Sequence, residues 1–170
     1  MKQQKNFKSF LKEYGPFLVA IIVIILIRTF ICSPINVNGT SMSNTLEDGD
    51  IMILNKIGLK KGINRFDIVV IRTDKKYLIK RVIGLPGETV SYKDEKLIIN
   101  GKIIKDKYNL NNTEDFDPVK IGKNEYFVMG DNRNVSNDSR LIGTINKKDI
   151  LGKTNFTIFP LKKFGKVEDK

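Results

Sequence analysis

The chain contains no histidine, yet it carries a serine in a turn-like GTSM segment and a lysine inside the apolar stretch YLIKRVIG. That absence removes a Ser-His-Asp triad, a Cys-His dyad and any histidine-ligated metal. A nucleophile here must find its base among other side chains, and a lysine amine is an attested one. Ser41 and Lys80 are the candidate pair. Gly39, two residues before Ser41, permits a backbone conformation closed to other residues, so a tight turn could expose the Ser41 hydroxyl beside backbone amides. Such amides are what a developing oxyanion requires.

If 77–84 is a strand, Leu78, Lys80 and Val82 share one face, and Tyr77, Ile79, Arg81 and Ile83 share the other. Lys80 then has only apolar neighbours on its own face, an arrangement that disfavours the ammonium form. To act as a base near neutrality its pKa must fall from about 10.4 to about 7–8, which requires deep burial. Arg81 also has aliphatic neighbours, so periodicity alone does not choose the buried face. A third segment, GDNRNVSNDSR from Gly130 to Arg140, follows the apolar run YFVM and is dense in Asp, Asn, Ser and Arg. Ser136 could hydrogen-bond the Lys80 amine and fix its orientation. Asp138 and Arg140 are spaced for a local ion pair that braces the loop.

These residues need a scaffold, and from Ser33 onward the pattern is of short β-type runs separated by turn residues. Candidate strands are INVNG, DIMILNKI, FDIVVIRT, YLIKRVIG, ETVSY, KLIIN, EYFVMG and ILGKTNFTIF. Asn100-Gly101 is a hairpin signal and Pro86-Gly87 a sharp turn. Residues 105–123 are polar and poorly periodic, and read as a long loop or a small cap. The expected fold is therefore mostly β: a coiled or barrel-like sheet domain with a cap excursion, behind one N-terminal helix.

That helix is read from Pro16 to Ile31, PFLVAIIVIILIRTFI, which reaches bilayer-spanning length when extended back to Phe10. Arg28 sits near one end, where its stem can snorkel. Lys2, Lys5, Lys8 and Lys12 precede it against Glu13 alone, which predicts a cytoplasmic N-terminus. The expected organisation is a flank over 1–12, a membrane anchor over 13–32 and an extracytoplasmic β-rich domain over 33–170. A cleaved signal fits less well, because ICSPIN lacks a small-x-small site and Arg28 is out of place in an apolar signal core. Cys32 is the only cysteine, so no internal disulfide exists. The net charge of +11 calls for an acidic partner. No nucleic-acid-binding motif accompanies it, which favours an anionic membrane surface over nucleic acid.

The three segments, in this order and behind an anchor, resemble the bacterial type I signal peptidases over nearly the whole chain. GTSMSNTL resembles the nucleophile box, YLIKRVIGLPGE the lysine box and FVMGDNRNVSNDSRLIG the third signature. The resemblance implies Ser41 as nucleophile, Lys80 as general base, and supporting roles for Ser136, Asp138 and Arg140. It also implies signal-peptide-bearing preproteins as substrates, cut after a small-x-small site, with no cofactor and no metal. Two positions depart from the usual pattern. Asn44 stands where the family usually has proline. Gly39 stands where some members contribute a hydroxyl to the oxyanion, leaving backbone amides, notably that of Ser41, to do so. A Ser-Lys autoprotease and a non-catalytic, membrane-tethered scaffold are the rival readings. The first would need a regulatory module for which 170 residues leave no room.

Overall fold

The apolar stretch forms a helix. In the computed structural model, which describes residues 2–74, 76–109 and 112–167, α1 runs Lys2–Leu26 and continues as one wider turn over Ile27–Ile31. Met1, residues 110–111 of the expected excursion and the last three residues of the expected 33–170 domain lie outside the described residues. Within Ser9–Ile31 the most apolar 18-residue window has a mean hydropathy of 2.3, and none of that window is covered by the rest of the protein. An uncovered helix of that length and composition matches a bilayer core. The turn ends when Cys32 adopts extended backbone, and the first strand begins there with no linker. Lys56 fastens this junction: its Nζ donates to the carbonyls of Arg28 at 2.9 Å and Thr29 at 3.0 Å, and its amide donates to Ile31 at 3.0 Å. Carbonyls left orphaned at a helix end are satisfied in this way.

Among the described residues twelve strands follow: β1 Cys32–Asn36, β2 Ile51–Asn55, β3 Ile68–Arg72, β4 Tyr77–Gly84, β5 Thr89–Lys93, β6 Lys96–Ile99, β7 Lys102–Ile104, β8 Phe116–Lys120, β9 Glu125–Met129, β10 Ile145–Asn146, β11 Ile150–Phe159 and β12 Gly165–Lys166. The larger sheet has the order β1-β2-β11-β3-β4-β9-β10, with β12 also on β11, and the smaller has the order β7-β6-β5-β8. Every pairing is antiparallel. Register shifts in β11 and near the end of β4 mark bulges, which bend strands and curl the sheet into a half-barrel.

Two features depart from the sequence reading. The first strand lies three residues earlier than INVNG, because the ladder with β2 starts at Cys32, where the helix ends. Within the polar stretch 105–123, residues 116–120 form β8, an edge strand on β5. Its apolar Phe116 and Val119 pack onto the core built around Ile83, Tyr92 and Phe127. β4 is central. Its eight residues alternate between different core clusters, Ile79 in one, Val82 in a second and Ile83 in a third, so both faces of the strand are buried.

Candidate active site

Ser41 stands on the turn between β1 and β2. The base of the turn is pinned where Val37 N donates to Asp50 O at 2.8 Å and Gly49 N donates to Val37 O at 2.9 Å. Gly39 takes φ +88°, a conformation favouring glycine, and its amide donates to Asp48 Oδ1 at 2.6 Å. Ser43 N then reaches Thr40 O, and Leu46 N reaches Met42 O, which winds the chain tightly past Ser41. Met42 and Leu46 are both buried in the core beside Val37 and hold the turn in place. Asn44, at the position where proline was the expected family residue, sits at φ +85°. A proline ring fixed near −65° could not take that conformation, whereas asparagine tolerates it.

Lys80 lies mid-strand in β4, opposite Val69 of β3. Its Nζ is 2.6 Å from Ser41 Oγ, and the residue is only 2% exposed. Burial is the main force on its pKa, lowering it from 10.5 to about 8, while the Asp138 carboxylate pulls the other way. Arg81, on the opposite face, is just as buried, so the choice of face that periodicity left open does not arise. The two cations differ in their company. Arg81 grips Asp131 with two hydrogen bonds, at 2.8 Å and 2.6 Å, and also donates to Phe66 O. Among the described residues Lys80 makes no ion pair, and its side chain bonds only the Ser41 hydroxyl.

The 130–140 loop closes over both. A side chain at Gly130 would overlap the Ser41 carbonyl oxygen and Ser136 Oγ, so only glycine lets the loop approach the Ser41 backbone. Asn132 N donates to Ser41 O at 3.1 Å, and its side-chain amide donates to Thr40 O at 3.2 Å. Thr45 Oγ donates to Asp131 at 2.6 Å and thereby ties the serine turn to the Arg81 pair. Asp138 is fully buried and accepts from the Gly130 amide and from Arg140 Nε and Nη2. Burial pushes its carboxyl up, but the Arg140 guanidinium and the Gly130 amide outweigh it and hold the pKa below the ordinary value. The expected Asp138–Arg140 pair is thus formed, at 2.9 Å. The expected Ser136–Lys80 bond is not: Ser136 Oγ is buried against Gly130, and its hydroxyl acts on the Asp138 carboxylate instead of on the amine.

Sequence reasoning missed several members of this assembly. Asp131 lies inside the singled-out segment, but nothing local pairs it with a residue 50 positions away. Arg133, fully buried, donates to Gly130 O, Thr113 Oγ and Tyr92 OH and pairs with Asp106 at 2.8 Å, linking the loop to the 105–113 stretch.

Beside the pair runs a groove of about 730 Å³, lined by Pro34 to Gly39, Ser41 and Met42 on one side and by Lys76 to Lys80 on the other, with Arg28 at its margin. Ile35, Val37 and Met42 line it, and Val37 and Met42 also belong to the core. The Ser41 amide donates to no protein acceptor among the described residues. An amine whose pKa burial has brought towards neutrality, a hydroxyl within bonding reach, a free amide and an extended trench can together perform acyl transfer. No cluster of three or more metal-ligating side chains occurs among the described residues.

Residues 11–159 match the family model described as signal peptidase, peptidase S26. The chain is 39% identical over 175 residues to signal peptidase I P of Bacillus subtilis subsp. natto, covering 94% of this chain and 95% of that protein. It is 40% identical over 183 residues to signal peptidase I of Bacillus licheniformis, covering 98% of each. The crystal structure of a signal peptidase I from Enterococcus faecalis V583 aligns at a TM-score of 0.50 and 34% identity, covering 54% of this chain and 95% of that one.

Proposed function

Since this chain belongs to the signal peptidase family, peptidase S26, and is a membrane-anchored serine endopeptidase, we propose that Ser41 and Lys80 are its catalytic pair and signal-bearing preproteins its substrates. The observation that carries the assignment is the 2.6 Å approach of a buried, uncompensated lysine to the Ser41 hydroxyl. Neutral Lys80 takes the Ser41 proton as Oγ attacks the scissile carbonyl. The Ser41 amide receives the oxyanion. Lys80 then gives its proton to the leaving amine, and the acyl-enzyme remains. The same amine next removes a proton from water, which attacks the ester, and the proton returns to Ser41 as the peptide leaves.

Gly39 shapes the turn, while Asp138 and Arg140 hold the loop against it. Ser136, buried beside Gly130, supports the loop through the Asp138 carboxylate. We place residues 1–12 in the cytoplasm, 13–32 in the membrane and 33–170 outside, a reading supported by the basic flank and the uncovered apolar helix. The excess of positive charge suits an anionic lipid surface.

The test uses the full chain in lipid with a signal-bearing precursor. The parent is expected to release the mature product, and Ser41→Ala and Lys80→Ala to release none. With a base near pH 8, about a tenth of the enzyme is active at pH 7, and kcat/KM climbs through an acidic limb centred near that value. Cleavage by both variants would overturn the pair. A parent that never cuts would favour the tethered scaffold.

A further inference from the structure

The groove beside Ser41 and Lys80 carries two cations that the reaction does not use. Arg28, in the last turn of the helix, and Lys76, just before β4, both contribute to its lining. No Asp or Glu does. Three other lysines of the domain are committed: Lys153 to Asp67, Lys163 to Glu47 and Asp50, and Lys56 to the helix carbonyls. Among the described residues neither Arg28 nor Lys76 has an acidic partner. Charges of one sign along a concave, partly apolar wall focus their field on whatever lies in the trench.

The strand fixes where that field acts. Lys76 lies four residues before Lys80, about 13 Å away along an extended chain. A peptide stretched along β4 with its scissile carbonyl at Ser41 Oγ therefore has its fourth or fifth residue from the cut beside Lys76. Direction follows from the anchor. Arg28 marks the membrane end of the groove, and a substrate held by its own apolar segment enters from that end. The residue beside Lys76 is then on the N-terminal, signal-peptide side of the bond. Charges nearer the pair are already engaged: Asp138 by Arg140, Asp131 by Arg81, and Asp48 by the Gly39 amide at the other end of the turn. The Lys76 charge is also felt at Lys80, where it adds to burial in disfavouring the ammonium form.

We propose that Lys76, with Arg28, is a charge selector that favours a carboxylate four or five residues before the scissile bond and disfavours a lysine there. The proposal rests on the assignment of Ser41 and Lys80 as the catalytic pair. Lys76 is exposed outside the membrane span, so its effect is modest and screened by salt.

The test takes one precursor in three versions, with Asp, Ala or Lys at the fourth residue before the cut, and repeats the set at the fifth. Each is cleaved by the full chain in phosphatidylcholine vesicles at low ionic strength, and kcat/KM is compared within each enzyme. Taking ratios cancels any change in the pair itself. The parent is expected to prefer Asp over Lys by about threefold to tenfold. Lys76→Gln should shrink the ratio and Lys76→Glu should invert it. Equal cleavage of all versions by the parent, or a ratio unchanged in Lys76→Glu, overturns the selector while leaving the catalytic pair intact. No cleavage of any version overturns the pair, and the selector with it. A rate that depends on added anionic lipid and on Lys76, without any substrate preference, assigns the cations to lipid headgroups and overturns the proposal.

Discussion

Replacing Lys80 with methionine is expected to stabilise the folded β domain while ending cleavage. The residue is 2% exposed, and burial takes its pKa from 10.5 to about 8. Holding that amine protonated in the fold costs about 3 kcal/mol at pH 7. The sign follows from the protons. Below pH 8 the folded and unfolded chains both carry the charge, and the fold bears the full cost of desolvating it. Between pH 8 and 10.5 the folded amine is neutral while the unfolded one still binds a proton, so the parent gains stability as pH rises. Above 10.5 both are neutral and the penalty is gone. Methionine of similar length removes the penalty at every pH, and Ser41, only half-buried, can turn its hydroxyl to water. Lys80→Met should therefore be more stable by up to about 3 kcal/mol at pH 6.5, and the advantage should fade towards pH 10.5. Urea unfolding of the full chain in detergent, followed by circular dichroism because the chain has no tryptophan, measures it. Equal stability at pH 6.5, or an advantage that persists undiminished at pH 10.5, would refute the buried, uncompensated amine.

Three further outcomes follow from the packing around the pair. Gly130→Ala forces a methyl onto the Ser41 carbonyl and Ser136, so it should cost about 1–3 kcal/mol of stability and displace the loop, with a drop in kcat that unfolding curves and turnover assays read together. Asn44→Pro should destabilise the turn by more than about 1 kcal/mol because φ +85° is closed to proline, whereas Asn44→Gly should be close to neutral in both stability and rate. Asp131→Asn leaves the buried Arg81 guanidinium uncompensated, and a loss of about 3–5 kcal/mol is expected in chemical denaturation.

What the sequence disclosed and what it concealed divide along physical lines. Alternation located β3, β4, β9 and β11, because half-buried and buried strands leave a pattern in consecutive residues. Ser41 and Lys80 could be matched because the absence of histidine called for another base and the segments around both residues resemble the family's nucleophile and lysine boxes. The Arg81–Asp131 pair could not be read, since its partners are joined by tertiary register across 50 positions. Nor could the hold of Asn132 on the Ser41 carbonyl, which depends on how closely Gly130 lets two loops meet. Phe116 and Val119 sit in a run too polar to signal a strand, and it is the exposed edge of β5 that recruits them. Ser136 shows the reverse case: its position was legible, but its hydrogen bond was not.

The junction clamped by Lys56 has a consequence for which bonds are reachable. With no slack between the lipid-embedded rod and β1, the nucleophile can stand no farther from the bilayer than residues 32–41 can stretch, about 33 Å. The anchor thus works as a ruler fixed at one end. Susceptible peptide bonds lying deeper in an exported chain stay out of range while that chain is still tethered, whatever residues flank them.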